Sequence, residues 1–277
     1  MIVLINKGVQ MKKFLLLIAL LLVGNYAIAQ EDDKLFLLFE FMEVDNEQES
    51  SYAEVEEFWE KIHVQRVKNG DCIGWDLWSL QPSGENQDFQ YLTVSLYNDP
   101  VKMMDGGNFN AAYQAAYPNL SQEESDAWFE KTANSRNLAV RVYFEMIDNA
   151  RATDFDMPLG TLAILNFMKA KPGMAQEYER MESEIFKPMH QKDIDAGGRG
   201  SWGLLRNMLW YPTEIYATHM AVDMFTGYDQ FFNGPDGNDG SMTQAEWNKV
   251  MSDMNSARDL RQVKHARLIR KVRAAAE

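Results

Sequence analysis

The chain has 277 residues, of which 46% are hydrophobic and 12% aromatic, with a formal net charge of −14. That apolar share is ordinary for a globular core, and the acidity excludes nucleic acid and anionic membrane surfaces as natural partners, since both repel it. A single cysteine, Cys72, excludes an internal disulfide framework.

Taken in chain order, the first segment is a leader. Lys12 and Lys13 precede the apolar run 14–23, and Ala27-Ile28-Ala29 supplies small residues before a cleavage point. That order is the one of a secretory signal, spanning residues 1–29 with Met11 as the expected start. The run is too short to cross a bilayer and no cysteine follows it, so we expect an exported, periplasmic or extracellular protein without a stable membrane anchor. An apolar strand follows at 35–44, then an amphipathic helix at 47–69, in which Tyr52, Val55, Trp59, Ile62 and Arg66 recur at three- and four-residue spacing. Gly70 stops it. Alternating strands at 73–80 and 90–97 flank a turn at 82–84. Helical segments at 100–117 and 121–134 and a closing strand at 138–147 complete the first half.

The second half repeats this order after a linker at 149–159. A strand at 162–170 turns at Lys171-Pro172-Gly173 into a helix reaching about residue 196, which Pro188 should kink. Strands at 201–210 and 214–224, a helix at 244–253 and a last strand follow. The repetition is also literal. Glu57, His63, Gly70, Trp75 and Leu77 return 127 positions later as Glu184, His190, Gly197, Trp202 and Leu204. Strand, helix, two strands, helix, strand is the split βαβ plan. We therefore expect an α+β chain of two tandem ferredoxin-like repeats, 30–148 and 160–277, whose antiparallel sheets can shield each other's open faces.

On this element order, and on the pattern Trp59 or Phe186, then His63 or His190, Gly70 or Gly197, and Trp75 or Trp202, the chain resembles the dimeric α+β barrel superfamily. That superfamily includes antibiotic-biosynthesis-monooxygenase-like and NIPSNAP-like proteins, and the resemblance implies that the two antiparallel sheets pack as an intrachain dimeric α+β barrel within one polypeptide. The resemblance implies cofactor-free monooxygenases, haem-degrading enzymes, isomerising or decarboxylating enzymes, or proteins without activity. Its Asn/Trp/His catalytic set does not carry over: Asn166 and Trp202 can be placed roughly on it, but Asn166 has no counterpart in the first repeat. The leader resembles those of exported Bacteroidetes proteins.

His63 and His190 are the candidate bases or ligand donors, each late in the first helix of its repeat and four residues after an aromatic. Trp59, Trp75, Tyr91, Phe186, Trp202 and Tyr216 are the candidate substrate-binding residues, lining cavities between sheet and helix. Cys72, opposite Arg199 in the other repeat, reads as a small packed side chain. No metal site is expected: there is no histidine pair at helical spacing, and the oxygen-rich loop Asp236-Gly237-Asn238-Asp239-Gly240 has Trp247 where a calcium loop needs an acid. No cofactor is expected either, haem being only what the resemblance allows. The basic run from Arg258 to Arg273 is expected to pair with the other repeat or face solvent. Three functions stay open: a module binding a small apolar or aromatic molecule, a cofactor-independent monooxygenase or isomerase with a histidine base, and a structural or assembly protein without a pocket. Oligomeric state and ligand are not legible.

Overall fold

A computed structural model describes residues 34–81, 88–209, 215–235, 240 and 242–274. The leader, the turn at 82–84 and the oxygen-rich loop at 236–239 lie outside the described residues. The strands are β1 (Phe36–Glu43), β2 (Gly74–Leu80), β3 (Tyr91–Tyr97), β4 (Asn137–Arg151), β5 (Leu162–Ala170), β6 (Ser201–Asn207), β7 (His219–Phe225) and β8 (Arg258–Arg273). The main helices are α1 (Glu49–Lys68), α2 (Pro100–Asp105), α3 (Phe109–Ala116), α4 (Gln122–Ser135), α5 (Ala175–Met181), α6 (Lys187–Asp195), α7 (Tyr228–Asn233) and α8 (Gln244–Ala257).

The strands close into a barrel in the order β1-β3-β2-β8-β5-β7-β6-β4, β4 returning to β1. Every neighbouring pair is antiparallel. Alternation along each strand sends one set of side chains inward. Leu37, Phe39, Phe41, Trp78, Leu92, Phe144, Leu165, Phe167, Leu205, Met220 and Leu268 fill the interior as one core. The barrel is a packed core, and the two cavities described below lie outside it. The two longest strands make the closure. β4 pairs with β1 through its first part and with β6 from Phe144 onward. β8 pairs with β5 and then, from Ala266, with β2. Among the described strands none is left as an open edge.

Helices cover the outer face of each half. α1 buries Tyr52, Val55, Glu56, Phe58, Ile62, His63 and Val67, one stripe of a 20-residue helix, and ends where Gly70 takes φ +72°, a conformation that suits glycine. α4 and α8 begin with the same device, a capping box of Ser121 with Glu124 and of Thr243 with Glu246.

The expected boundaries move in three places. Gly106 and Gly107, at φ +76° and +71°, divide the expected helix 100–117 into α2 and α3. A Cβ on Gly107 would lie 2.7 Å from Asp71. β4 continues through residues expected as linker, because it must reach β6. β7 begins at His219, so Tyr216 precedes the strand on which it was expected.

Pro188 does not simply kink its helix. The chain makes a π turn at Glu182–Phe186, joining α5 to α6, with Lys187 N–H bonded to the Glu182 carbonyl five residues back. Proline has no N–H to offer the Glu184 carbonyl, and the wider turn accommodates that loss.

Candidate functional site

Between α1, α4 and the outward faces of β1–β4 lies a cavity of about 400 Å³, lined among others by Trp59, His63, Arg66, Trp75, Glu56 and Arg136. Two elements position its aromatic wall. Trp75 projects from the second residue of β2, and the His63 ring from α1 stacks on it at 4.6 Å with an interplanar angle of 10°. Trp59, one turn earlier on α1, stands 6.3 Å from the His63 ring. Its indole N–H donates to Thr132 Oγ1 on α4 at 3.2 Å.

The polar side is cationic. Arg66 lies 3.2 Å from His63 Nδ1 and donates to the Tyr97 hydroxyl at 3.0 Å and the Gly106 carbonyl at 3.1 Å. A guanidinium only donates, so His63 Nδ1 accepts and the neutral ring carries its proton on Nε2. Burial, with the charges of Arg66 and Arg136, holds the His63 pKa well below its usual value. Arg141 donates twice to Glu40 Oε1, at 3.0 and 2.6 Å. Arg136 approaches the Glu56 carboxylate at 3.3 Å. Glu56 is 1% exposed, and burial raises its pKa against the opposing pull of Arg136.

The second half assembles a related set. His190 stacks on Trp202 at 5.1 Å and 26°. Its Nδ1 lies 2.9 Å from Arg199 Nη1, and burial together with that guanidinium takes its pKa down to about 3. Arg199 is clamped between Asp193, at 2.8 Å, and Asp223, and Asn166 donates to Asp223 at 3.0 Å. Arg199 occupies the position of Cys72, so each histidine meets a guanidinium, but from a different place in the chain.

The eight residues expected from sequence divide accordingly. Trp59, His63 and Trp75 meet in the first cavity. Trp202 meets His190, while Phe186 packs edge-on against Trp247 at 6.2 Å. The Tyr91 ring lies 4.4 Å from that of Tyr52, tilted by 41°, and lines a separate groove of about 480 Å³ with Leu77, Glu60 and Arg270. Tyr216 joins neither layer: it is 48% exposed and its hydroxyl donates to Gln262 at 3.0 Å. Cys72 is buried, and burial raises its thiol pKa.

Sequence reasoning missed the trio Tyr52, Glu56 and Arg136. Tyr178, Glu182 and Arg258 repeat it, with burial raising Glu182 to about 7. The signal was present at offsets other than 127. Tyr52 and Glu56 recur after 126 residues, and Arg136 after 122. The π turn adds the one residue that separates 126 from 127.

The resemblance allows haem, and the donor set does not suit it. Both candidate axial histidines have Nδ1 engaged by a guanidinium, whose charge opposes a metal ion. His219 holds Thr218 with one ring nitrogen and Glu179 with the other. Among the described residues no group of three metal-ligating side chains converges, and no helix is long and apolar enough to cross a membrane.

No family model matches this sequence, and no curated protein matches it. Solved structures do. A putative monooxygenase of Fusobacterium nucleatum aligns with TM-score 0.51 at 13% identity, covering 88% of this chain and 96% of that one. One of Lactobacillus acidophilus aligns with TM-score 0.49 at 8% identity, covering 88% and 98%. An anthrone oxidase-like protein aligns with TM-score 0.48 at 10% identity, covering 89% and 95%. At such identity the likeness to the Fusobacterium protein concerns the fold, that of an α+β barrel.

Proposed function

We propose that the protein binds a small planar organic molecule in the first-half cavity between α1, α4 and the sheet. One observation carries this reading: the stacked His63–Trp75 pair forms an aromatic wall of a cavity whose other side holds guanidinium groups and a buried carboxylate. Aromatic walls with a few convergent polar groups are what small-molecule sites consist of. The Fusobacterium protein's name, a monooxygenase of the same fold, supports a small organic ligand as well.

The enzymatic alternative, a cofactor-independent monooxygenase or isomerase with His63 or His190 as base, is the weaker reading. Nδ1 of each ring is taken by an arginine and the pKa is lowered, so each histidine presents Nε2–H as a donor at neutral pH. A purely structural role leaves the cavity without a purpose. The test is native mass spectrometry of the chain recovered from its producing cells, followed by tryptophan fluorescence titration with a panel of naphthalene- and coumarin-sized compounds. A bound organic mass, or saturable quenching lost in Trp75→Leu, is expected. A clean apo mass with no saturable titrant overturns the reading.

We also infer that the two halves are fused copies of one ferredoxin-like unit, supported by their matching strand orders β4-β1-β3-β2 and β8-β5-β7-β6. A chain with its second half replaced by residues 30–148 should fold, and its failure counts against the inference. Export rests on the leader alone, and N-terminal sequencing of periplasmic protein, expected to begin near Gln30, tests it.

A further inference from the structure

Five buried side-chain polar atoms lack a hydrogen-bond partner among the described residues: Tyr52 Oη, Glu56 Oε1, Tyr178 Oη, Arg258 Nε and Asp71 Oδ2. Four of the five belong to the two Tyr-Glu-Arg trios. Scattered packing faults would not select equivalent places in both halves. Leaving a buried polar group unpaired is costly, so this recurrence marks a place built to receive a polar group.

In the first half Glu56 and Arg136 line the His63 cavity, while Tyr52 lines the separate groove beside Tyr91. Glu56 Oε1 is ion-paired with Arg136 at 3.3 Å, and the Glu56 carboxylate also neighbours the Tyr52 hydroxyl one turn earlier, but neither contact is an aligned hydrogen bond to Oε1. The charged and titratable groups around Glu56 are Tyr52 on its own helix, Arg136 at the head of β4, Glu40 on β1 and Arg270 on β8. Most of the cavity's polar groups donate: the guanidinium groups of Arg66, Arg136 and Arg141, and His63 through Nε2. Glu40 receives both bonds from Arg141 on one oxygen, and Thr132 Oγ1 already accepts from Trp59. Glu56 is therefore the most deeply buried carboxylate that the cavity offers to a ligand, beside the second oxygen of Glu40 and the hydroxyl of Thr93 in the same lining.

We propose that Glu56 is the specificity-determining residue of this cavity, and that the ligand is an aromatic alcohol or amine whose hydroxyl or N–H donates to its carboxylate while the ring lies against Trp59 and Trp75. The proposal rests on the cavity being a binding site. A hydrogen bond to a charged acceptor is among the stronger ones a protein makes, and about tenfold in affinity is the expected gain for a ligand able to form it.

The test titrates tryptophan fluorescence of the full chain with 2-naphthol and with its methyl ether, which has the same ring but no donor. Wild type should bind the naphthol about tenfold more tightly. In Glu56→Gln the amide oxygen turns to Arg136 and the NH2 group faces the cavity, so the preference should vanish or reverse. Glu56→Asp, which keeps the charge but withdraws it by one methylene, should reduce the preference to below about threefold. Thermal melts establish that each variant is folded, and the wild-type comparison needs no variant. Equal affinities in wild type overturn the proposal and leave the binding site standing. An undiminished naphthol preference in folded variants overturns the role of Glu56. No saturable binding of either compound to wild type overturns both the proposal and the site.

Discussion

His63 and His190 show how a residue's neighbours decide its chemistry. His63 is buried and His190 half-buried, each beside an arginine, and each is held neutral, His190 down to about 3. An unfolded histidine takes its proton near 6.5, so between that pH and 3 the unfolded chain binds more protons than the folded one. Stability from this source is complete above 6.5 and is lost as the pH falls. Glu182 acts in the opposite sense. Its pKa rises on folding from 4.5 to about 7, so the folded chain binds the extra proton in that window and stability falls as the pH rises through it. Across about 4.5 to 6.5 the two effects offset one another. Glu182→Gln should unmask the histidines: urea unfolding should show a gain at pH 8 of at most about 3 kcal/mol and a steeper loss from pH 6.5 to 4.5 than in wild type. An unchanged pH profile would remove Glu182 from this account. The histidines and tryptophans were legible in the sequence because they recur at one fixed offset. Glu56 and Arg136 were not, because their counterparts fall at other offsets and a buried acid reads as a surface one until its neighbours are placed. Tyr216 was misplaced for a related reason: alternation cannot tell the start of a strand from the approach to it.

The helix of the second half carries the same logic up one level. In α1, Glu56 and His63 are seven residues apart, about two turns, and so share a face. Glu182 and His190 are eight apart, which in a regular helix would rotate the histidine about 80° away from the glutamate's face. The π turn at Glu182–Phe186 absorbs the extra residue, returning His190 to Trp202 while leaving Tyr178 and Glu182 in the buried layer. Pro188, two residues past the turn, fits that geometry and would not fit a continuous α-helix. The two features should therefore be coupled. Deleting Ser183 restores seven-residue spacing but places Pro188 inside a regular helix, at a cost of about 3 kcal/mol. Adding Pro188→Ala to the deletion should recover most of that loss, whereas Pro188→Ala alone should change stability by less than about 1 kcal/mol. Urea unfolding of the three variants closes the cycle, and additive effects would show that the proline and the extra residue are unrelated. Pro188 in the sequence announced an irregularity; the kind of irregularity depends on a one-residue length difference, visible only when both halves are aligned element by element.

At the scale of the whole molecule, the order of elements was legible from alternating patterns and the recurrence at 127 residues, and the α+β barrel from the resemblance that this order carries. How the barrel closes was not. The end of β4, from Asp148 to Arg151, is polar enough to read as linker, yet it carries one seam of the barrel by pairing with β6. The other seam joins β2 to β8, where Arg273 donates to both carboxylate oxygens of Asp76, at 2.7 and 2.9 Å. Arg270 pairs with Glu60 at 2.5 Å, so the basic run of the last strand serves the first half, one of its two expected fates. Both seams, and an interior filled from all eight strands, hold the halves together without the peptide link between them. The segment that joins them passes Pro158 and Leu159, both exposed, Leu159 at 63%. A protease site inserted between those two residues should be cut in the folded protein. The two pieces should then co-elute at the size of the intact chain in native buffer and separate only in denaturant. Separation in native buffer would mean that covalent linkage, rather than the seams, keeps the barrel closed. Neither piece should be stable once separated, since each would expose the inward apolar face of its sheet and the unpaired backbone of two strands, and the interior that stabilises one half is built from the side chains of the other.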